Sequence, residues 1–233
     1  MIEFKGVTKK FGNVKALDNI TVTYPEGKII GLLGPNGSGK STTLKMIASL
    51  NKPDTGEVLI NGKNPSIETR KQIAYLPEID YLYSWMTVRD ANNFMKGFYD
   101  DWNEDKNLKL MKFLQLEPNM IIKKISKGMR AKVKLLLAFS RDAKIVLLDE
   151  PLSGIDILTR EQIIETIISD YSAGEQTIII STHEIQEIEG LVDDVVFLKN
   201  GNVILQGDAE SLRNERTMSL VELMKGVYQH GDF

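Results

Sequence analysis

Residues 34 to 42 read Gly-Pro-Asn-Gly-Ser-Gly-Lys-Ser-Thr, a spacing suited to cradling a chain of phosphates. Its glycines let successive backbone N–H groups turn inward around an anion, Lys40 brings a mobile positive charge to the outer phosphates, and Ser41 offers a hydroxyl to a magnesium ion. The loop lies between the apolar run Ile29-Ile30-Gly31-Leu32-Leu33 and the segment Leu44-Lys45-Met46-Ile47. That is the strand, loop, helix setting the pattern requires. Asn36, Gly37, Ser38, Gly39, Lys40, Ser41 and Thr42 are therefore expected to hold a nucleoside triphosphate.

A second apolar run, Ile145-Val146-Leu147-Leu148, ends in Asp149-Glu150-Pro151. A buried strand ending in adjacent carboxylates delivers both to the carboxyl edge of a parallel sheet, where a phosphate loop also sits. Asp149 fits an acid that holds magnesium, through water or directly, and Glu150 fits the base that orients and deprotonates an attacking water. A third run, Thr177-Ile178-Ile179-Ile180, feeds Ser181-Thr182-His183-Glu184 onto the same edge. His183 can contact the terminal phosphate or position Glu150 and the water. His230, in a polar tail, is assigned nothing.

The elements that must position these groups follow from composition and periodicity. With 233 residues, 42% apolar and 26% charged, the chain can bury one substantial core or two closely joined lobes. A formal net charge of -3 argues against binding polyanions with the whole surface. With no cysteine, disulfides, thiolate metal sites and cysteine nucleophiles are excluded. No apolar run approaches the roughly 18 to 20 residues that cross a bilayer, and the opening Met1-Ile2-Glu3-Phe4-Lys5 does not begin a secretory signal. Any membrane role is expected to run through a partner.

Ile2, Phe4 and Val7, then Val14 to Leu17, then Ile20, Val22 and Tyr24 alternate like sheet, so an antiparallel lobe is expected first. Pro53-Asp54-Thr55-Gly56 turns into a strand closed by Asn61-Gly62. From Thr87 to about Phe139 the pattern is helical, with Thr87 capping Val88 to Tyr99 and a second helix from Asp105 to Leu116. Strands at Ile145, Thr177 and Val195, separated by a helix from Asp156 to Tyr171, give the alternation of a parallel sheet, and Asn200-Gly201 reads as a hairpin. The expected class is α/β: a P-loop NTPase core with a mixed, largely parallel sheet, an N-terminal antiparallel β lobe and a helical insert lobe. Residues 1–210 would form one cassette, its helical lobe at about 79–139, and 211–233 a C-terminal helical tail.

In this order and spacing the motifs resemble the nucleotide-binding subunit of ATP-binding cassette transporters over nearly the whole chain. The resemblance implies ATP and Mg2+ as ligands and an ATPase in which Lys40, Glu150 and His183 are catalytic and Ser41, Asp149 and Glu78 lie on the metal side. Phe11 stands where the family stacks an aromatic on adenine, with Val14 and Ala16 at the family spacing, although Phe11 is also compatible with core. Ser126, Lys127, Gly128 and Met129 stand at the family signature, Asp156 in the loop that crosses the dimer interface, and His183 at the switch histidine.

The implied cycle has each ATP held by residues 34 to 42 of one subunit and covered by residues 126 to 129 of a second nucleotide-binding subunit. Homodimer and heterodimer both remain open. Transmembrane transporter subunits would ride on that closure, with this chain peripheral at the cytoplasmic face of the cell membrane. Tyr81, Leu82, Tyr83, Trp85 and Met86 are a candidate exposed patch for them, unless Trp85 and Met86 pack under the helical lobe. No nucleic-acid partner is expected: the cluster Lys123, Lys124, Lys127, Arg130, Lys132 and Lys134 has no interleaved aromatic and reads for the most part as a solvated basic face.

Two departures from the family pattern stand out. The signature carries Lys127 where glycine is usual, and Glu78 replaces the glutamine that commonly touches magnesium. Both features resemble bacterial exporter cassettes for peptides and antibiotics. A soluble cassette ATPase acting on nucleic acid or ribosomes, or a non-hydrolysing regulator, are the competing classes, and the presence of Glu150 and His183 speaks against the regulator.

Overall fold

The computed structural model describes residues 1–171 and 174–229, so His230 and the end of the expected tail lie outside the described residues. In chain order the elements are β1 (Ile2–Phe11), β2 (Val14–Tyr24), β3 (Ile29–Leu33), α1 (Lys40–Ile47), β4 (Thr55–Ile60), α2 (Ile67–Lys71) and β5 (Ile73–Leu76). Then come α3 (Val88–Lys96), α4 (Glu104–Phe113), α5 (Lys127–Phe139), β6 (Ile145–Asp149), α6 (Ile157–Asp170), β7 (Thr177–Thr182), β8 (Asp194–Lys199), β9 (Asn202–Asp208), α7 (Ala209–Arg216) and α8 (Leu220–Gln229). Among these described residues no helix is long and apolar enough to cross a membrane.

The N-terminal strands form a three-stranded antiparallel sheet ordered β2-β1-β4, and a six-stranded sheet runs β5-β6-β7-β3-β8-β9. Its inner strands are parallel, and only the β8–β9 hairpin at its edge is antiparallel. Both faces of the central strands are covered, which is why they read as continuous apolar runs rather than alternating ones. Ile30 and Leu32 pack toward the antiparallel sheet with Phe4, Leu17 and Leu44. Ile29 and Leu33 pack on the opposite side with Leu136, Phe139 and Ile180.

The expected helical insert is built as its caps dictate. Thr87 accepts from Asp90 N–H at 3.1 Å while Asp90 accepts from Thr87 N–H at 2.9 Å, a reciprocal capping box that starts α3. The helix stops at Lys96 before Gly97, three residues short of the expected Tyr99, and α4 starts behind an Asn103 cap. Val14–Tyr24 is one strand rather than two, kinked where Asn19 takes a positive φ of 51°. At the far end of the described chain, the Tyr228 hydroxyl on α8 reaches the carbonyls of Leu33 and Leu198 at 3.0 and 3.1 Å, pinning two strand ends beside the phosphate loop.

The helical insert is tied to the sheet by a guanidinium. Arg141, 2% exposed, forms a bidentate pair with Asp101 at 2.9 Å through both Nε and Nη2 and donates to the carbonyls of Ile73 and Lys71 at 2.7 and 2.6 Å. Its plane lies 3.6 Å from the Tyr99 ring. Lysine has no planar fork with which to reproduce this set. Arg141→Met is expected to lower unfolding free energy by about 3 kcal/mol, since it strands the Asp101 carboxylate and two carbonyls. Urea denaturation measures this, and a loss below about 0.5 kcal/mol, typical of a neutral surface change, would show that the cluster does not hold the lobe.

Candidate nucleotide-binding and hydrolysis site

Parallel pairing sets the site. β3 pairs with β7 so that Leu33 lies beside Thr182, and β6 pairs with β7 so that Asp149 lies beside Ser181. Three strands therefore finish level, and the phosphate loop, the Asp149-Glu150 pair and His183 leave the sheet at one carboxyl edge, the place where open α/β sheets bind ligands.

The phosphate loop has room only for glycine at two points. A Cβ on Gly34 would lie 2.5 Å from the Leu198 carbonyl and the Ser38 hydroxyl. Gly39 has φ of 114°, and a Cβ there would meet the Ala16 carbonyl at 2.6 Å. Gly39 is also the cap of α1 and supplies no side-chain acceptor, and the first turn carries no acid. The N–H groups that open α1 thus keep the unsatisfied donors and partial positive charge that bind an anion.

Behind the loop the charged groups form one connected chain. Lys40 is buried, donates to the carbonyls of Gly34 and Pro35 at 2.7 and 3.3 Å, and pairs with Glu150 Oε1 at 3.1 Å. Glu150 Oε2 meets His183 Nδ1 at 2.9 Å, and His183 Nε2 lies 3.5 Å from Glu184. Glu150 is itself strained, with φ of 48° in the left-handed region, a conformation that a glutamate keeps only where its surroundings impose it. Its Oε1 is buried without a well-formed hydrogen bond, the mark of a carboxylate placed for something besides packing.

Asp149 is held from three sides. Ser41 and Ser181 hydroxyls donate to its Oδ1 at 3.0 and 2.7 Å, and the Tyr75 hydroxyl donates to its Oδ2 at 3.2 Å. Burial, followed by the neighbouring Asp149 carboxylate, raises the Tyr75 pKa, so the phenol stays a proton donor. A serine hydroxyl and a carboxylate in contact suit a hard, oxygen-seeking cation such as Mg2+. Among the described residues no three His, Cys, Asp or Glu side chains gather into a metal cage. Such an ion would draw its remaining ligands from phosphate and water.

The signature residues form a second cluster. Ser126 caps α5, accepting from Met129 N–H at 3.1 Å, and Asp156 caps α6, accepting from Thr159 N–H at 3.0 Å. Those bonds from the Thr159 N–H and hydroxyl hold the Asp156 carboxyl below the ordinary range. Gly128 sits against Thr159 and Asp156, and the Lys127 ammonium lies over Gly154. Among the described residues, no hydrogen bond or ion pair joins residues 126 to 129 to residues 34 to 42. Between the clusters opens a cleft of about 430 Å³ lined by Glu78, Lys127, Lys134, Glu150 and Ser153.

Phe11 and Val14 pair at the tip of the β1–β2 hairpin, and Phe11 is 52% exposed, with the Lys9 ammonium 5.6 Å from its ring centre, so it is a surface aromatic and not core. Ala16 presents its carbonyl to Gly39. Asn36 and Gly37 are exposed on the loop, and Ser41 and Thr42 lie in the first turn of α1, beside the buried Ser38 and Lys40.

Three residues that sequence reasoning assigned no role enter the site. Ser181 stood in a quoted motif, but its partner is set by strand register. Tyr75 reaches Asp149 only because β5 lies beside β6. Lys134, read as part of the solvated basic face, turns inward and is 8% exposed. The one available signal was its place beside Val133 and Leu135 in a run that stays apolar to Phe139. The patch also changes: Met86 is core, whereas Tyr83 stacks on Trp85 at 5.9 Å, and Phe94 and Phe98 extend the exposed surface.

The family model described as ABC transporter matches residues 17–153. An uncharacterized ABC transporter ATP-binding protein of Methanocaldococcus jannaschii, MJ1023, is 35% identical over 96% of this chain and 82% of its own length. The sulfate/thiosulfate import ATP-binding protein CysA of Mesostigma viride is 32% identical over 94% of this chain and 65% of its own length. The dimeric structure of a post-hydrolysis state of the ATP-binding cassette MJ0796 bound to ADP and Pi superposes with a TM-score of 0.78 at 26% identity, covering 89% of this chain and 98% of that one.

Gly39→Ala is expected to weaken ATP binding by about 100-fold or more, about 2.7 kcal/mol. The added methyl cannot coexist with the Ala16 carbonyl unless the loop moves off its anion-binding geometry. Calorimetric titration with a non-hydrolysed ATP analogue checks this, and an affinity within threefold of wild type would contradict the close-approach argument.

Proposed function

Since this chain belongs to the ABC transporter family and is an ATP-hydrolysing cassette, we propose that it is the motor subunit of a membrane exporter for peptides, antimicrobials or related amphiphiles. The observation that carries the motor role is the division of the site into two clusters. Lys40, Ser41, Asp149, Glu150 and His183 are linked in one chain of contacts, while Ser126 and Asp156 are helix caps elsewhere on the same protomer. Each cluster is half of a nucleotide site, which is what a head-to-tail pair of cassettes completes.

On this reading Phe11 stacks on adenine, with Val14 and Ala16 beside it, and the loop from Asn36 to Thr42 holds the phosphates. Ser126 to Met129 of a second cassette close over the γ-phosphate, with the N-terminus of α5 facing the anion and Asp156 at the crossing. Mg2+, when bound, neutralises phosphate charge, with Ser41, Asp149 and Glu78 as the protein groups on its side.

Glu150 takes the proton of the attacking water as its oxygen bonds to the γ-phosphorus and the bond to the β–γ bridging oxygen breaks, leaving ADP and phosphate. His183 orients that carboxylate through Oε2. Lys40 now neutralises Glu150. Arriving phosphates compete for this ammonium, and its departure frees Glu150 to act as the base.

Export is the reading favoured by Lys127 and Glu78, although the CysA relative is named for import. The exposed surface of Tyr83, Trp85, Phe94 and Phe98 is the proposed seat of the transmembrane subunits, which hold the chain at the cytoplasmic face. Co-purification from membranes with an integral partner tests this. Hydrolysis by the isolated complex, stimulated by amphiphilic peptides and not by sulfate or thiosulfate, would support export, and the reverse pattern would assign import.

Glu150→Gln is expected to retain ATP binding and slow hydrolysis about 10² to 10⁴-fold, the worth of a positioned base. The slowed protein should accumulate as a nucleotide-bridged dimer in light scattering. Normal turnover with no dimer would remove both the base and the two-cassette arrangement.

A further inference from the structure

The segment after β5 leaves the sheet at Leu76 and joins neither sheet before α3 begins at Val88. Four of its residues are held by one face of α5. The Lys134 ammonium donates to the carbonyls of Pro77, Glu78 and Ile79 at 2.8, 3.0 and 3.3 Å. One turn earlier on the helix, Arg130 Nε lies 3.2 Å from Asp80 Oδ2 while its Nη1 donates to the Ile125 carbonyl at 3.1 Å.

Three ammonium protons meet three consecutive carbonyls, so the donor inventory of Lys134 is filled. Lysine suits this work as a point charge with rotatable donors, whereas the flat fork of arginine does not converge on three oxygens. Burial pulls the Lys134 pKa below the ordinary lysine value, and the carboxylates of Asp80, Glu78 and Asp149 offset part of that cost. A lysine meant only to fill the helix–sheet interface would be better replaced by an apolar residue of like volume.

We propose that Lys134 is a positioning residue: by holding the carbonyls of residues 77 to 79 to α5, it makes the Glu78 side chain and the nucleotide-facing start of α5 move as one body. Ser126 lies two turns before Lys134 on the same helix. A nucleotide that engages the start of α5 would thereby also set the position of Glu78 on the metal side. This rests on the placement of Glu78 given above.

The test compares Lys134→Met, Glu78→Ala and wild type. The methionine keeps length and apolar contact, and of the residues whose carbonyls are freed, Glu78 and Ile79 are exposed and Pro77 is half-buried, which lets water reach them. Its melting temperature is therefore expected within about 5 °C of wild type. ATP affinity in EDTA should stay within about twofold, while turnover falls and the magnesium concentration for half-maximal rate rises, each by about 10-fold, the usual cost of losing a group that supports a metal ligand.

A second readout needs no turnover. The chain has no cysteine, so spin labels at Lys109→Cys and Asn202→Cys, both exposed, report the distance between helical lobe and core by double electron-electron resonance. Nucleotide-free wild type should give one narrow distance and Lys134→Met a broad distribution. Wild-type distances together with wild-type magnesium dependence in Lys134→Met would overturn the proposal, as would a parallel loss of ATP affinity and thermal stability, which marks a merely structural lysine.

Glu78→Ala separates this inference from the reading beneath it. If Glu78→Ala leaves magnesium dependence unchanged while Lys134→Met broadens the distance, the metal-side role of Glu78 falls and the clamp between loop and helix stands. If Glu78→Ala shifts magnesium dependence and Lys134→Met changes neither readout, the clamp alone is overturned.

Discussion

Everything at this site depends on three buried parallel strands ending level. The pairing of Leu33 with Thr182 and of Asp149 with Ser181 is a matter of register, and a slip of one residue would turn every side chain to the opposite face. Asp149 is buried and held by the Ser41, Ser181 and Tyr75 hydroxyls, so a slip would carry its carboxylate away from them and leave it unpaired in the core. Register is thereby enforced where the strands end, and the polar groups gather at that edge because the apolar runs stop there. The strain at Glu150, with its positive φ, is borne by the same packing: its N–H is held by Ser181 on the neighbouring strand.

The two lobes are joined by different kinds of contact. Between the antiparallel and parallel sheets lies a continuous apolar core that runs from Phe4 through Leu44 to Leu147. The helical insert also shares apolar contacts with the sheet through α5, but its attachment includes discrete polar clamps: Arg141 to Asp101, Lys134 to residues 77 to 79, and Arg130 to Asp80. Directional bonds of this kind fix relative orientation, whereas apolar contact is non-directional.

Much of the site could be read directly. Residues 34 to 42, Asp149, Glu150 and His183 are contiguous stretches whose chemistry depends on local spacing, and the cap at Thr87 was legible for the same reason. Basic residues 123 to 134 were a harder case. Their charge pattern suited a solvated face, but a helix flanked by Val133 and Leu135 carries position 134 inward, and the carbonyls that receive its ammonium come from a loop more than fifty residues away. Met86 was drawn to the core by the same non-local packing, while Phe94 and Phe98 joined the exposed aromatic surface because α3 lays that face beside Tyr83 and Trp85.

By itself the sequence determined the order of strands, loops and helices, the phosphate loop and its lysine, the acid pair, and the resemblance that ties them to ATP. Each depends on neighbours within a few residues, where spacing and backbone preference act directly. Tertiary structure alone decided that Lys40 and Glu150 share a buried ion pair, that Tyr75 and Ser181 fix Asp149, and that the helix begun at Ser126 holds residues 77 to 79. These contacts join positions from 32 to 110 residues apart, and a one-dimensional pattern carries no term for the strand register and helix packing that bring such positions within hydrogen-bonding distance.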